Sequence, residues 1–134
     1  MAGYSGTPLV KKLGIKPGAT VVLIGAPRGF SRLLVDLPPD VRLRTRAAGT
    51  PDLALWFVTS RRDLEDRIAA IGQLLHAGLW IVWPKKTSGV KTDLTEDVVR
   101  SVGLAHGWVD HKVCAVDETW SGLRFARRSR QVNP

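Results

Sequence analysis

Leu53-Ala-Leu-Trp-Phe-Val58 and Leu79-Trp-Ile-Val-Trp83 are two short runs that are apolar at every position. Runs of this length, bounded by polar residues, read as strands buried on both faces. Between them, Ser60 with Asp63 three residues on is a capping-box-like helix start. Leu64, Ile68, Ile71 and Leu75, with Leu74 alongside, then fall on one helical face, and Ala77-Gly78 is the expected stop. Strand, helix, strand in this order is a parallel crossover unit, which is right-handed in nearly all proteins.

Toward the N-terminus, Thr20-Val-Val-Leu-Ile24 is a third buried run, broken by Gly25-Ala-Pro-Arg-Gly29. A short helix over Phe30–Val35 follows and is stopped by Pro38-Pro39. Val41–Arg46 alternates apolar and basic residues as an edge strand does, its arginines discouraging edge-to-edge pairing. Further upstream, Thr7 is the expected cap of a short helix with Pro8 at its first position and Gly14 at its end, and Lys16-Pro17-Gly18 is a turn.

Toward the C-terminus, a polar loop from Pro84 to Thr92 leads into a helix whose expected cap is Asp93, with Glu96 at the capping-box position. Leu94, Val98 and Val102 line its inner face and Gly103 ends it. Two strands, Trp108–Val116 and Trp120–Arg127, are joined through Asp117-Glu-Thr as a hairpin. No repeat, low-complexity stretch or linker interrupts this pattern. The expected fold is a single α/β domain over residues 1–134, with 1–6 and 129–134 as flexible ends. It is a Rossmann-like three-layer sandwich around a mostly parallel sheet of about six strands, order 2-1-3-4-6-5, the C-terminal strand antiparallel.

Composition narrows the function classes. The 134 residues are 44% hydrophobic and 24% charged, a globular profile that excludes a disordered chain. No apolar run approaches the ~20 residues of a membrane span, and the N-terminal residues lack the pattern of a signal peptide. The single cysteine, Cys114, excludes an internal disulfide and a cysteine-rich zinc site, so a reducing, cytoplasmic setting is expected. Lys and Arg number 20 against 12 Asp and Glu, a net charge of +8. Local concentrations lie at Lys11-Lys12, Arg42–Arg46, Lys85-Lys86 with Lys91, and Arg124 with Arg127, Arg128 and Arg130. None is the unbroken basic block of a nucleic-acid arm.

Two resemblances emerge from these elements. Leu13-Gly-Ile-Lys-Pro-Gly-Ala-Thr-Val-Val-Leu-Ile-Gly25 and Leu74-Leu-His-Ala-Gly-Leu-Trp-Ile-Val82 resemble the first motif and a later helix-turn-strand of class I S-adenosylmethionine-dependent methyltransferases. That resemblance implies S-adenosylmethionine as cofactor. The family's first strand usually ends in an acidic residue before three close glycines, whereas Leu23-Ile24 and two glycines stand here. Its second strand usually ends in an acid that holds the ribose, whereas Arg42-Leu-Arg-Thr-Arg46 stands here, and arginine offers no acceptor. More narrowly, Gly3–Leu9, Trp83–Lys86, Thr92–Glu96 and Val113–Gly122 resemble recurrent blocks of a bacterial family known as domain of unknown function 3052. This second resemblance implies a bacterial, cytoplasmic protein and assigns no activity.

In open parallel sheets, ligands bind outside the carboxyl ends of the strands where the strand order reverses. The expected crevice lies between the first and third strands, walled by Gly25, Arg28 and Gly29 and by Thr59, Ser60 and Arg61. Lys85 and Lys86 open on the same side, as does the turn carrying Asp117, Trp120 and Ser121. Gly25, Arg28 and Gly29 read as an anion-binding turn before a helix or as an ordinary tight turn. Lys85 and Lys86, with Lys91, read as a phosphate- or carboxylate-closing loop or a plain surface loop. Asp117 with Glu118 is an acid/base pair, a cation site or a solvated turn, and Trp83 and Trp120 are rim or core residues.

No catalytic residue is assigned. Cys114 reads as a buried inert thiol. His76, His106 and His111 lack metal-ligand spacing, so no metal is expected, and Ser121 lacks the flanking glycine of a nucleophile elbow. Three functions follow in order of support: a module binding an anionic small molecule, a polyanion (nucleic-acid) or protein-interaction domain, and a divergent methyltransferase. Nothing in the sequence specifies an oligomeric state.

Overall fold

The computed structural model describes residues 8–46, 50–75 and 78–128. The expected flexible ends, the Thr7 cap, His76 and Ala77 lie outside the described residues. The elements are α1 (Leu9–Leu13), β1 (Thr20–Ile24), β2 (Arg42–Arg44), β3 (Leu53–Phe57), α2 (Arg61–Gln73), β4 (Gly78–Pro84), α3 (Glu96–Ala105), β5 (Trp108–Ala115) and β6 (Trp120–Arg127). Single 3₁₀ turns span Phe30–Leu33 and Lys86–Ser88. The strands form one sheet in the order β2-β1-β3-β4-β6-β5, as expected. The first four are parallel, and β6 runs antiparallel to both β4 and β5.

Every residue of β3 and β4 is buried, which accounts for their unbroken apolar sequence. One face of the sheet is covered by α2 and α3, whose Leu64, Ile68, Ile71, Val99 and Val102 pack with Trp56, Ile81, Trp83 and Phe125. The other face carries a thinner layer. There Val10 and Leu13 of α1, with Phe30 and Leu34, cover Leu55, Phe57, Trp80 and Val82. The Leu13 carbonyl accepts both the Trp80 indole N–H and an Arg124 N–H, each at 2.9 Å, and so ties that thin layer to β4 and β6. On the helical face, Arg100 joins α3 to β5 by bonding Asp110 at 2.8 Å, with Glu96 and Asp97 beside it. These bonds, that to Asp110 foremost, hold the guanidinium more firmly protonated than an ordinary arginine. No helix among the described residues is long and apolar enough to cross a membrane.

Local assignments differ from the sequence reading at several places. Pro8 occupies the cap position of α1 and not its first turn. The segment after Gly29 is one 3₁₀ turn, not a helix reaching Val35. Helix α2 ends at Gln73, and Gly78 opens β4. The cap of α3 is Thr95, whose hydroxyl accepts from Val98 N–H at 3.2 Å, while Asp93 accepts from Arg61 N–H instead. Val99 is buried in the core, and Val98, half-buried, packs against it. Gly103 lies within α3, where a Cβ would sit 2.3 Å from the Phe125 ring. Its glycine serves packing, and the left-handed residue beyond the helix is Gly107.

Strand β5 is an outer edge. It carries a register shift between Asp110 and Lys112, so His111 has no counterpart on β6.

A candidate anion-binding cleft

The carboxyl ends of β1 and β2 border a cleft of about 550 Å³. Leu23, Phe30 and Leu43 supply apolar wall, and Gly25, Arg28, Gly29, Arg44 and Thr45 supply its polar surface. The β1 loop is shaped by two left-handed glycines, with φ of 69° at Gly25 and 82° at Gly29. At Gly25 a side chain is excluded twice over, because a Cβ would also lie 2.9 Å from the Phe57 carbonyl. The loop is thus pressed against the end of β3, and the open space falls on the β2 side.

The sequence reading puts the crevice between β1 and β3, whereas this cleft opens on the β2 side. Phe57 at the end of β3 packs edge-to-face on Phe30 (4.8 Å) and on Trp120 (5.2 Å). Beyond it, the Thr92 hydroxyl donates to the Thr59 carbonyl at 2.6 Å and Asp93 accepts from Arg61 N–H at 2.8 Å, which draws the β4–α3 loop across the end of β3.

The candidate residues therefore divide. Gly25, Arg28 and Gly29 line the cleft. Ser60 caps α2 through Asp63 N–H, and the Arg61 side chain pairs with Glu65. Lys85 is joined to the hairpin turn through the bond from its N–H to the Thr119 carbonyl. Lys86 lines a separate depression with Lys91 and Thr95. One oxygen of Asp117 accepts from both Thr119 and Trp120 N–H at 2.8 Å, so this carboxylate closes the β5–β6 turn. Ser121 pairs with Trp83 in the antiparallel ladder, and Trp83 is a core residue and not part of a rim. Cys114 is buried, and burial pushes its thiol pKa upward.

The sequence reading missed Arg44, Thr45 and Leu43 as members of this site. Arg44 had been set aside as part of an edge-strand basic cluster, although the methyltransferase resemblance marks that same strand end as a ligand wall. Electrostatics distinguish it. The α2 arginines Arg61, Arg62 and Arg67 pair with Glu65, Asp66 and Asp63. Among the described residues, Arg28 and Arg44 pair with no carboxylate, and no carboxylate lines the cleft. The Phe30 N–H, at the start of the 3₁₀ turn, is bonded to the Pro27 carbonyl, so the positive charge of the cleft resides on the guanidinium groups.

Residues 57–133, more than half of the chain, match the family model described as domain of unknown function DUF8412. The chain belongs to that family. DUF8412 is a different family from the one its sequence blocks resemble. In this DUF8412 chain the matched part runs from the end of β3 through β6, and the cleft wall from Leu23 to Thr45 lies upstream of it. No curated protein matches the sequence. Among solved structures, the chain is similar to magnesium protoporphyrin IX methyltransferase (ChlM) from Synechocystis PCC 6803 with bound SAH, at 12% identity and TM-score 0.60 over 83% of this chain and 74% of that one. The same enzyme with bound SAM is similar at 13% identity and TM-score 0.59, over 89% and 74%. A SAM dependent methyltransferase from Aquifex aeolicus is similar at 13% identity and TM-score 0.62, over 89% and 87%. The DUF8412 chain therefore shares the Rossmann-like fold of these methyltransferases.

Proposed function

We propose that this chain is a Rossmann-like module that binds an anionic small molecule in the cleft at the ends of β1 and β2. The observation that carries this reading is the pair of unpartnered guanidinium groups, Arg28 and Arg44, on a cleft without a carboxylate. Guanidinium forks suit phosphate and carboxylate groups, and the apolar wall of Leu23, Phe30 and Leu43 suits a ring or alkyl portion. The test is a thermal-shift and calorimetric panel of nucleotides, dinucleotides and phosphosugars. A ligand at 100 times its Kd raises stability by about 2.7 kcal/mol. That shift disappears in Arg28→Ala with Arg44→Ala. Silence across the panel, or binding unchanged in the double variant, overturns the reading.

The shared fold supports a second reading, divergent methyl transfer, because two of the similar structures hold SAH and SAM. The lining residues do not fit that cofactor. A ribose requires acceptors and a sulfonium and ammonium favour carboxylates, whereas the cleft presents arginines. Heat of binding with S-adenosylmethionine, undiminished by the two arginine substitutions, would favour methyl transfer over anion binding.

A further inference from the structure

We propose a second anion site at the opposite end of the sheet, where Arg124 receives a small oxyanion, carboxylate or phosphate, in a cavity of about 330 Å³. The cavity lies at the amino ends of β1 and β3. It is walled by the loop Gly14–Ala19, by Asp52 and Leu53, and by Arg124 reaching across from β6. None of these residues belongs to the cleft at the other end of the strands.

The guanidinium of Arg124 is half-buried and carries an unbalanced charge. Nη1 donates to the Leu13 carbonyl, Nε is sealed without a hydrogen-bond partner, and no carboxylate among the described residues pairs with the group. Desolvating a guanidinium without a counter-charge is unfavourable, and a bound oxyanion offsets it. Burial also lowers the pKa of this arginine, in keeping with missing compensation. Asp52, on the same wall, forms no ion pair with Arg124, and its carboxylate accepts the Thr20 N–H at 2.8 Å and so holds β1 against β3.

The surrounding chain makes room for the group. A Cβ on Gly14 would lie 2.7 Å from Nη1, and one on Gly78 would lie 2.7 Å from Nη2. Gly14 needs its left-handed conformation in any case, with φ of 77°. Gly78 has no such need, being the first residue of a buried strand. Its missing side chain is explained by the guanidinium and by Leu53 beside it. Lys16, exposed on the cavity wall, adds a second positive charge. The planar fork of an arginine with a nearby ammonium is the chemistry that recognises a carboxylate or phosphate, and a depression of this size suits a small molecule.

The test is NMR titration of the arginine Nε–H resonances at constant ionic strength, with inorganic phosphate in one arm and acetate in the other. The Arg124 signal, assigned by through-bond correlation to its own backbone amide, is expected to shift saturably with Kd below about 10 mM in at least one arm. The arm that saturates identifies the oxyanion. Binding, followed in the variants on the backbone amides of Gly14–Ala19, weakens at least tenfold in Arg124→Met, weakens severalfold in Lys16→Ala, and is unchanged in Arg28→Ala with Arg44→Ala. No saturable shift in either arm overturns the proposal, as does saturation that leaves the Arg124 resonance in place. Those two readings use the wild-type chain alone, with the signal assigned through its own backbone amide, so they stand even where Arg124→Met fails to fold.

Discussion

The indole N–H of Trp80 reaches the carbonyl of Leu13 at 2.9 Å, joining the middle of the sheet to a helix that precedes it by 67 positions. Helix α1 has only five residues, too short to persist on its own propensity. Its position depends on burial of Val10 and Leu13 and on this carbonyl, shared by Trp80 and Arg124. Trp80→Phe keeps most of the buried area and removes one donor. It should cost about 1–3 kcal/mol in urea unfolding and lower hydrogen-exchange protection first in α1.

Gly103 faces the Phe125 ring with no room for a methyl group. Gly103→Ala, which by helix propensity alone would stabilise α3, should instead destabilise the chain by about 1–3 kcal/mol. Gly18→Ala is the comparison, because nothing lies within 4 Å of a Cβ there and only its left-handed backbone, φ 77°, opposes the change. A Gly103→Ala chain with a raised denaturation midpoint would disprove the packing role.

The two residues that compete for the start of α3 have separable tasks. Thr95→Ala removes the cap and should cost about 1 kcal/mol. Asp93→Ala releases the Arg61 N–H and with it the link from the β4–α3 loop to α2. Its larger effect should be on hydrogen exchange of the Arg61 amide rather than on the helix.

Burial holds the Cys114 thiol above its ordinary value of 9.0. The folded state then binds this proton more tightly than the unfolded chain does. Its contribution to stability is intact below pH 9.0 and declines as the pH rises past that value toward the folded one. Urea midpoints measured from neutral to alkaline pH should fall less steeply for Cys114→Ala than for the wild type. Iodoacetamide should label the folded thiol far more slowly than the unfolded one.

Arg28 and Arg44 are exposed and make no protein contacts that stability requires. Replacing both with alanine should leave the unfolding free energy within about 0.5 kcal/mol. Nucleotide or phosphosugar binding should be lost in the same variant, and in the wild type that binding should weaken with added salt.

The strand order was legible because β1, β3 and β4 are apolar at nearly every position and are spaced by helical periodicity, and because right-handed crossovers leave few arrangements. Misreadings arose where one residue type serves two physical ends. Gly103 looks like a helix stop in one dimension, and only Phe125 arriving from β6 makes it a packing residue. Asp93 and Thr95 are both good caps, and the choice between them is made by the Arg61 N–H, 32 residues away. The cleft on the β2 side is not legible in the sequence, because Phe30, Phe57 and Trp120, distant in sequence, meet only in the fold. Arg124 read as one more surface charge until its contact with Leu13 placed it in a cavity.

The unmatched His111 on β5 has a consequence for how copies of this chain meet. Val109 lies opposite Ala126 and Val113 opposite Leu123, so the extra residue puts the two valines on opposite faces of the sheet. A strand arriving from a neighbour finds no continuous apolar ridge and must break its hydrogen-bond rhythm halfway along. Deleting His111 would straighten this border into a seven-residue template, and two copies would gain a tendency to pair through it. One additional residue thus interrupts the border that a neighbouring strand would pair with, independently of whatever the two ends of the sheet bind.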